Sequence, residues 1–338
     1  MQRKKQIPRI GVLMTVYNAG PYLKDAIESI LNQSFTKFDF YIVNDGSTDG
    51  SAEVISSYKD ARIHFLKNDG NKGFVYSLNR GLDLMQNEFI ARMDADDIAL
   101  PERLEKQLEF MDANPNITAC GTQVHYFGDS NARPSFPLAS KKVKAQLVLA
   151  NAIVHPTALF RSKPINEHGI RFKEMEESKS LEDYDFWLNV SKIGKLANLP
   201  NVLLKYRWHG ENMTAESGDS RGDRYMFLYK DILEELGINP SEQNRKLHLE
   251  LAQRTNKIEN LKLVKAHISL IMSQNSSLNI YSQEELKWEL NRAWDNLFFK
   301  TIHTGFKQVL EFWWIEKRIR FSHLRYLVGR KFKKKTKK

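Results

Sequence analysis

Residues 10–49 read IGVLMTVYNAGPYLKDAIESILNQSFTKFDFYIVNDGSTD. The run Ile10–Val16 is apolar without the alternation of a half-exposed strand, so it reads as a strand buried on both faces. From Pro21 to Gln33 the period changes. Leu23, Ala26, Ile27, Ile30 and Leu31 fall on one helical face, and Pro21 suits a first helical turn. Phe38–Val43 is β-rich again and ends in the polar run Asn44-Asp45-Gly46-Ser47-Thr48-Asp49. Strand, helix and strand in that order form a βαβ unit, which belongs to a parallel sheet covered by helices.

The same alternation continues outward. Arg62–Leu66 reads as a third strand, Asn71–Met85 as a helix, Glu88–Met93 as a fourth strand and Pro101–Ala113 as another helix. Between about 115 and 215 the pattern is less regular, with strands at Thr118–Phe127 and Val202–Trp208 and a helix at Leu181–Ile193. From Gly222 on, almost everything reads as helix. The expectation is an α/β protein with a mostly parallel sheet flanked by helices in residues 1–220, and a helical C-terminal region in residues 221–338.

Composition bounds the possibilities. The chain has 338 residues, 41% hydrophobic, enough for a sizeable core. Its single cysteine, Cys120, allows neither an internal disulfide nor a cysteine-rich metal site, which fits a reducing compartment. The net charge of +10 sits at one end: Lys317–Lys338 holds 11 basic and no acidic residues, leaving 40 basic against 41 acidic in residues 1–316. A neutral body with a basic tail does not read as nucleic-acid binding, since no recognition fold surrounds the charges. The longest uncharged stretch, Ala145–Phe160, is shorter than the ~20 apolar residues of a membrane span. The basic start before Ile10 superficially resembles a signal peptide, but its apolar run reads better as the first strand.

In an open α/β sheet, ligands bind beyond the carboxyl ends of the strands. Four such places are polar: Thr15, Tyr17 and Asn18 after the first strand, the run 44–49 after the second, Asn71-Lys72-Gly73 near the third, and Asp94-Ala95-Asp96-Asp97 after the fourth. Each has a plain alternative. The run 44–49 could be a turn with a helix cap, and 94–97 a solvated or capping loop. No G-x-G-x-x-G or G-x-x-x-x-G-K-[ST] follows any of these strands. An x-Asp-x-Asp unit at a strand end offers hard oxygen ligands, too few for a protein cage but suited to Mg²⁺ or Mn²⁺ shared with a diphosphate.

Seven segments in fixed order carry a resemblance: VLMTVYNAGPYLKDAIESILNQSF (12–35), YIVNDGSTDGS (41–51), NKGFVYSLNRGL (71–82), EFIARMDADDIALPERLEKQLEFM (88–111), HPTALFR (155–161), LEDYDFWLNV (181–190) and YRWHGENMT (206–214). Over residues 7–215 the sequence resembles glycosyltransferase family 2, the inverting group with the GT-A nucleotide-diphospho-sugar transferase fold, in its bacterial surface-polysaccharide type. The resemblance implies a nucleotide-diphosphate sugar donor, a UDP-sugar in the first instance, and a metal ion, Mn²⁺ or Mg²⁺. Thr15, Tyr17, Asn18, Asp45, Lys72 and Asp94 would bind the donor, with Asp45 accepting from the uracil imide. Asp94, Asp96 and His209 would hold the metal, and Asp183 would be the base that deprotonates an acceptor hydroxyl. Arg207 and Asn212 would contact the diphosphate or hold the loop. His155 receives no role.

Beyond residue 306, Phe306, Val309, Leu310, Trp313, Trp314, Phe321, Leu324 and Val328 recur at helical spacing before the RKFKKKTKK end. That is the profile of an interfacial amphipathic helix with a polybasic tail, the alternative being a core-packing helix with a solvated tail. The resulting expectation is a cytoplasmic glycosyltransferase of capsule or lipopolysaccharide type, peripheral on the inner face of the membrane. Its acceptor would be a glycan or a lipid-linked molecule. The alternatives are a sugar nucleotidyltransferase, which would need a Gly-rich loop where TVYNAG stands, and a catalytically inactive glycan- or nucleotide-binding module.

Overall fold

The computed structural model describes residues 7–174, 181–209, 219–255, 258, 260–301 and 306–316. The chain divides into two compact units, Met1–Ser217 and Gly218–Lys338. The first is built on an eight-stranded sheet of order β3-β2-β1-β4-β7-β6-β8-β5. Its strands are β1 (Ile10–Val16), β2 (Phe38–Asn44), β3 (Ile63–Lys67), β4 (Phe89–Met93), β5 (Ile98–Ala99), β6 (Ile117–Gly128), β7 (Leu159–Arg161) and β8 (Lys195–Trp208). Four of the seven neighbouring pairs are parallel, namely β1 with β2 and β4, β2 with β3, and β6 with β8.

The unbroken apolar run of β1 follows from its place. Every residue of it is buried, between β2 and β4 and under helices on both faces. Ile10, Val12, Met14 and Val16 share one pleat face with Phe38, Phe40 and Ile42 of β2 and Phe89, Ala91 and Met93 of β4. Against that face pack Leu23, Ala26, Ile27 and Ile30 of α1 (Leu23–Leu31) and Leu104, Leu108 and Met111 of α4 (Arg103–Ala113). On the other face lies α3 (Phe74–Leu84), which approaches β1 closely at Gly81. A Cβ there would stand 2.2 Å from Leu13 Cδ1.

The β-rich segments in the first half were read from sequence to within a residue or two. The helix expected from Asn71 starts instead at Phe74, because the Lys72 and Gly73 N–H groups donate to Asp45. The sequence analysis did not anticipate β5, with two residues, or β7, with three. Elements so short carry no period. Between the strands and in the later part of the unit lie α2 (Ser51–Ser57), α5 (Ser140–Gln146), α6 (Ser162–Glu167) and α7 (Glu182–Ile193).

The second unit contains α8 (Asp219–Glu235), α9 (Glu242–Leu251), α10 (Leu261–Leu278), α11 (Gln283–Thr301) and α12 (Phe306–Glu316). Ser241 caps α9 by accepting from the Asn244 N–H, and Asn260 caps α10 by accepting from Lys262 and Leu263. Phe312 of α12 is fully buried and stacks on Trp294, while Glu316 accepts from Trp294 Nε1 at 2.7 Å and pairs with Lys265 at 2.6 Å. Leu310 and Trp314, on the same helix, are exposed. So the described part of α12 packs through Phe312, a residue outside the expected apolar set, and keeps part of that set in solvent. The amphipathic continuation and polybasic end expected in residues 317–338 lie outside the described residues. No helix among the described residues is long and apolar enough to cross a membrane.

Candidate active site

Because β3, β2, β1 and β4 run parallel and in register, with Val16 beside Asn44 and Asn44 beside Lys67, their C-terminal ends share one edge of the sheet. The four polar loops therefore meet there. Asp45 is buried, and its carboxylate accepts from Asn68 Nδ2 at 2.6 Å and from the N–H groups of Lys72 (2.8 Å) and Gly73 (2.9 Å). It thus joins the loop after β2 to the start of α3 and still has lone-pair capacity, since a carboxylate offers about four acceptor sites. Gly46, at φ 72°, makes this approach feasible: a Cβ there would lie 2.4 Å from the Gly70 carbonyl carbon.

Asn18 joins the first two loops. Its Oδ1 accepts the Thr48 N–H at 2.8 Å and its own N–H donates to Ser47 Oγ at 3.0 Å. Thr15 is buried beneath, with Arg92 Nη2 3.4 Å from its hydroxyl. Tyr17 is 51% exposed and Lys72 is exposed. These residues line one rim of the same edge.

Asp94, Asp96 and Asp97 follow β4, and one carboxylate oxygen from each lies within 4.8 Å of the others. Asp97, which the resemblance did not name, is the most deeply set. Its Oδ1 accepts the Arg207 N–H at 2.7 Å, and its buried Oδ2 has no hydrogen-bond partner among the described residues. Burial and the charges of Asp96 and Asp94 push its carboxyl well above the usual range. Burial likewise raises Asp94, against the pull of Arg92, whose Nη2 lies 2.5 Å from Asp94 Oδ1. Three hard oxygen donors with an unsatisfied buried oxygen among them fit a divalent cation of the Mg²⁺ or Mn²⁺ kind. His209 adjoins the cluster, with Nε2 3.1 Å from Asp96 Oδ2 and its ring stacked on Tyr22.

Two buried arginines back the cluster. Arg92 lies within β4, and Arg103 Nη2 donates to the Arg92 carbonyl at 2.6 Å while its Nε donates to Gln107 at 3.1 Å. Burial lowers the Arg103 guanidinium to about 10 against the support of Asp97. Arg207 is held between the Tyr22 and Phe127 rings, 4.3 Å from each centroid, and its Nε donates to the Asp96 carbonyl at 2.8 Å. Asn212 lies outside the described residues.

Asp183 stands in the first turn of α7. A helix start favours a carboxylate anion, which was the sequence-based expectation. Burial and the neighbouring Glu182 outweigh that effect and push the carboxyl up to about 8; Asp94 adds to the shift. Asn151 Nδ2 donates to Asp183 Oδ2 at 2.7 Å. His155 is buried among Phe74, Phe172 and Trp187, and burial holds its imidazole neutral, well below its ordinary value.

Thr15, Tyr17, Asn18, Asp45, Lys72, Asp94 and Asp96 lie at or just beyond these strand ends, with His209 beside Asp96, while Asp183 stands on α7 with Asn151 as its partner. The residues not picked out are Arg92, Arg103 and Asn151, and Asp97 was seen in the polar run 94–97 but given no role. An arginine inside an otherwise apolar strand (FIARM) was the available signal for Arg92.

Comparison with known proteins follows the same line. A model of "Glycosyl transferase family 2" matches residues 11–169. An uncharacterized glycosyltransferase of Haemophilus influenzae is 31% identical over 78% of this chain and 87% of its own length. The amylovoran biosynthesis glycosyltransferase AmsE of Erwinia amylovora is 29% identical over 58% of this chain and 75% of its own. Residues 1–349 of Staphylococcus aureus TarS, solved with UDP-GlcNAc, superpose with a TM-score of 0.57 at 18% identity, covering 86% of this chain and 81% of that one. At that identity the likeness is one of fold.

Proposed function

The chain belongs to glycosyltransferase family 2, and from that premise we propose an inverting transfer of a sugar from a nucleotide diphosphate to an acceptor hydroxyl, with Asp183 as the base. The enzyme class is glycosyl transfer on a GT-A fold. The finer reading names the donor as a UDP-sugar and the acceptor as a growing surface glycan or its lipid-linked form. The observation that carries it is the convergence of Asp94, Asp96 and Asp97 at the carboxyl edge of the sheet, where one cation could meet all three. A UDP-bound structure of TarS and the polysaccharide role named for AmsE point to the same substrate classes.

Thr15, Tyr17, Asn18, Asp45 and Lys72 would receive the nucleoside and its phosphates. Asp94, Asp96 and Asp97, with His209 beside Asp96, would hold Mg²⁺ or Mn²⁺, which when bound supplies charge to neutralise the departing diphosphate. Asp183 would take the proton of the acceptor hydroxyl. The acceptor oxygen then bonds the anomeric carbon from the face opposite the phosphate, and the breaking C–O bond leaves its electron pair on the nucleotide diphosphate. Inversion needs one base and one stabilised leaving group, and no enzyme nucleophile. In the same reading the protein works in the cytoplasm, with the tail 317–338 against an anionic membrane where a lipid-linked acceptor would be presented.

A donor-hydrolysis screen tests this. The purified protein with Mn²⁺ or Mg²⁺ is given UDP-, dTDP-, GDP- and CDP-sugars, alongside Asp96→Ala and Asp183→Asn. Metal-dependent nucleotide release from one donor, lost in Asp96→Ala and reduced to a low residual rate in Asp183→Asn, is the expected result. No release from any donor, together with no metal-dependent nucleotide binding in calorimetry, overturns the reading.

A further inference from the structure

The start of α7 is fastened to one neighbouring segment at two points. Asn151 Nδ2 donates to Asp183 Oδ2 at 2.7 Å, and the hydroxyl of Tyr184 donates to the Leu147 carbonyl at 2.6 Å. The Asn151 amide has a defined direction, because its Oδ1 accepts the Ile153 N–H at 3.2 Å, which leaves the NH₂ end for Asp183. The segment itself cannot easily turn. Val148, Leu149, Ala152 and Ile153 are buried, and Gln146 Nε2 donates to the Asn151 carbonyl at 3.1 Å. Asp183 itself is only partly buried, and the backbone N–H groups of Asp183 and Tyr184 also act on its carboxyl.

We infer that Asn151 is a positioning residue: by occupying Oδ2 and fixing the plane of the carboxylate, it presents Oδ1 of Asp183 to the hydroxyl that is to lose its proton. The inference rests on the reading of Asp183 as the base. Its physical content is directional. A carboxylate on a freely turning side chain reaches a proton in few of its orientations, whereas one oxygen held by a donor leaves the other aimed, and small misplacements of reacting groups can cost about 10²-fold in rate. No motif in the sequence marked this residue, which lies 32 positions before its partner within the uncharged stretch Ala145–Phe160.

The test uses the full chain and the donor that the wild-type protein hydrolyses in the screen above, with Mn²⁺ and with water as acceptor. Asn151→Ala, Asn151→Asp, Asp183→Asn and the double variant Asn151→Ala/Asp183→Asn are compared. Asn151→Asp retains an acceptor for the Ile153 N–H while removing the donor to Asp183, so it keeps the test usable should the alanine variant fold poorly. The expected result is a fall in kcat of about 10- to 10²-fold for both single Asn151 variants. The donor KM and the UDP affinity in calorimetry should remain those of the wild type. In the Asp183→Asn background the Asn151→Ala change should cost nothing further, because a residue that acts through Asp183 has nothing left to act on.

An unchanged kcat in Asn151→Asp overturns the inference, and so does a loss that repeats in full in the Asp183→Asn background, which would mark Asn151 as a support for the loop alone. Wild-type rates in Asp183→Asn would instead overturn the reading of the base. A wild-type protein that neither releases nucleotide nor binds it in a metal-dependent way overturns both.

Discussion

At the scale of single residues, three acids, Asp94, Asp97 and Asp183, have carboxyls raised above their ordinary range. Asp183 is the clearest case, with its carboxyl raised to about 8 by burial and by Glu182, and further by Asp94. The sign follows directly. In the free enzyme the base form of Asp183 appears only as pH rises through about 8, so kcat/KM should climb across that range in the wild type, and this limb should vanish in Asp183→Asn. Stability runs the other way. A folded carboxyl raised above its unfolded value of about 3.9 contributes stability that is complete below that value and is lost as pH rises through about 8. Asp183→Asn should therefore melt at a higher temperature than wild type at pH 8.5 and near the wild-type temperature at pH 4, measured with chelator and without nucleotide. A constant difference across that range would refute the raised carboxyl. Arg103 gives the converse test. It is wholly buried and bonds to Gln107 and to the Arg92 carbonyl, so Arg103→Leu should cost about 3–5 kcal/mol in urea unfolding, as for removal of one member of a buried charged network.

At the scale of elements, helix α3 places the loop that meets Asp45, and its seat on β1 depends on the missing side chain at Gly81. Gly81→Ala should destabilise by about 1–3 kcal/mol, since the new methyl must displace Leu13. The paired variant Gly81→Ala/Leu13→Ala should then be less destabilised than the two single losses added together, read from urea midpoints at constant slope. Strict additivity would mean that the two residues do not compete for the same space. This element also shows what sequence can and cannot give. The strands β1, β2 and β4 were readable because they are largely buried and mostly apolar, β1 throughout and the other two with Asp39 and Arg92 as their charged exceptions. The start of α3 was misplaced because a distant carboxylate takes the Lys72 and Gly73 N–H groups, and no local period reports a partner 27 residues away. In the same way Asp94, Asp96 and Asp183 were visible as acids at strand and helix ends, while Asn151 and Arg103 matter only through contacts that folding creates.

At the scale of the whole molecule, the distribution of charge separates two tasks. Residues 1–316 are close to neutral, and the candidate active site lies wholly within the first unit; the 11 uncompensated basic residues all follow residue 316. If the tail serves adhesion to an anionic surface, catalysis on a soluble donor and binding to vesicles should be separable. Deleting Arg330–Lys338 removes seven of the 11 basic residues. At about 1 kcal/mol per basic residue near an anionic bilayer, losing even half of that contribution lowers the partition more than about 10²-fold. Co-sedimentation with phosphatidylserine-containing vesicles should therefore drop sharply in the truncated chain, while donor hydrolysis and UDP affinity stay at wild-type values. Raising the salt to 1 M should detach the intact protein as well, since charge interactions are then screened within about 3 Å. Binding that survives both the truncation and the salt would instead assign adhesion to apolar contact, for which Trp314 and Leu310 are the exposed candidates on α12.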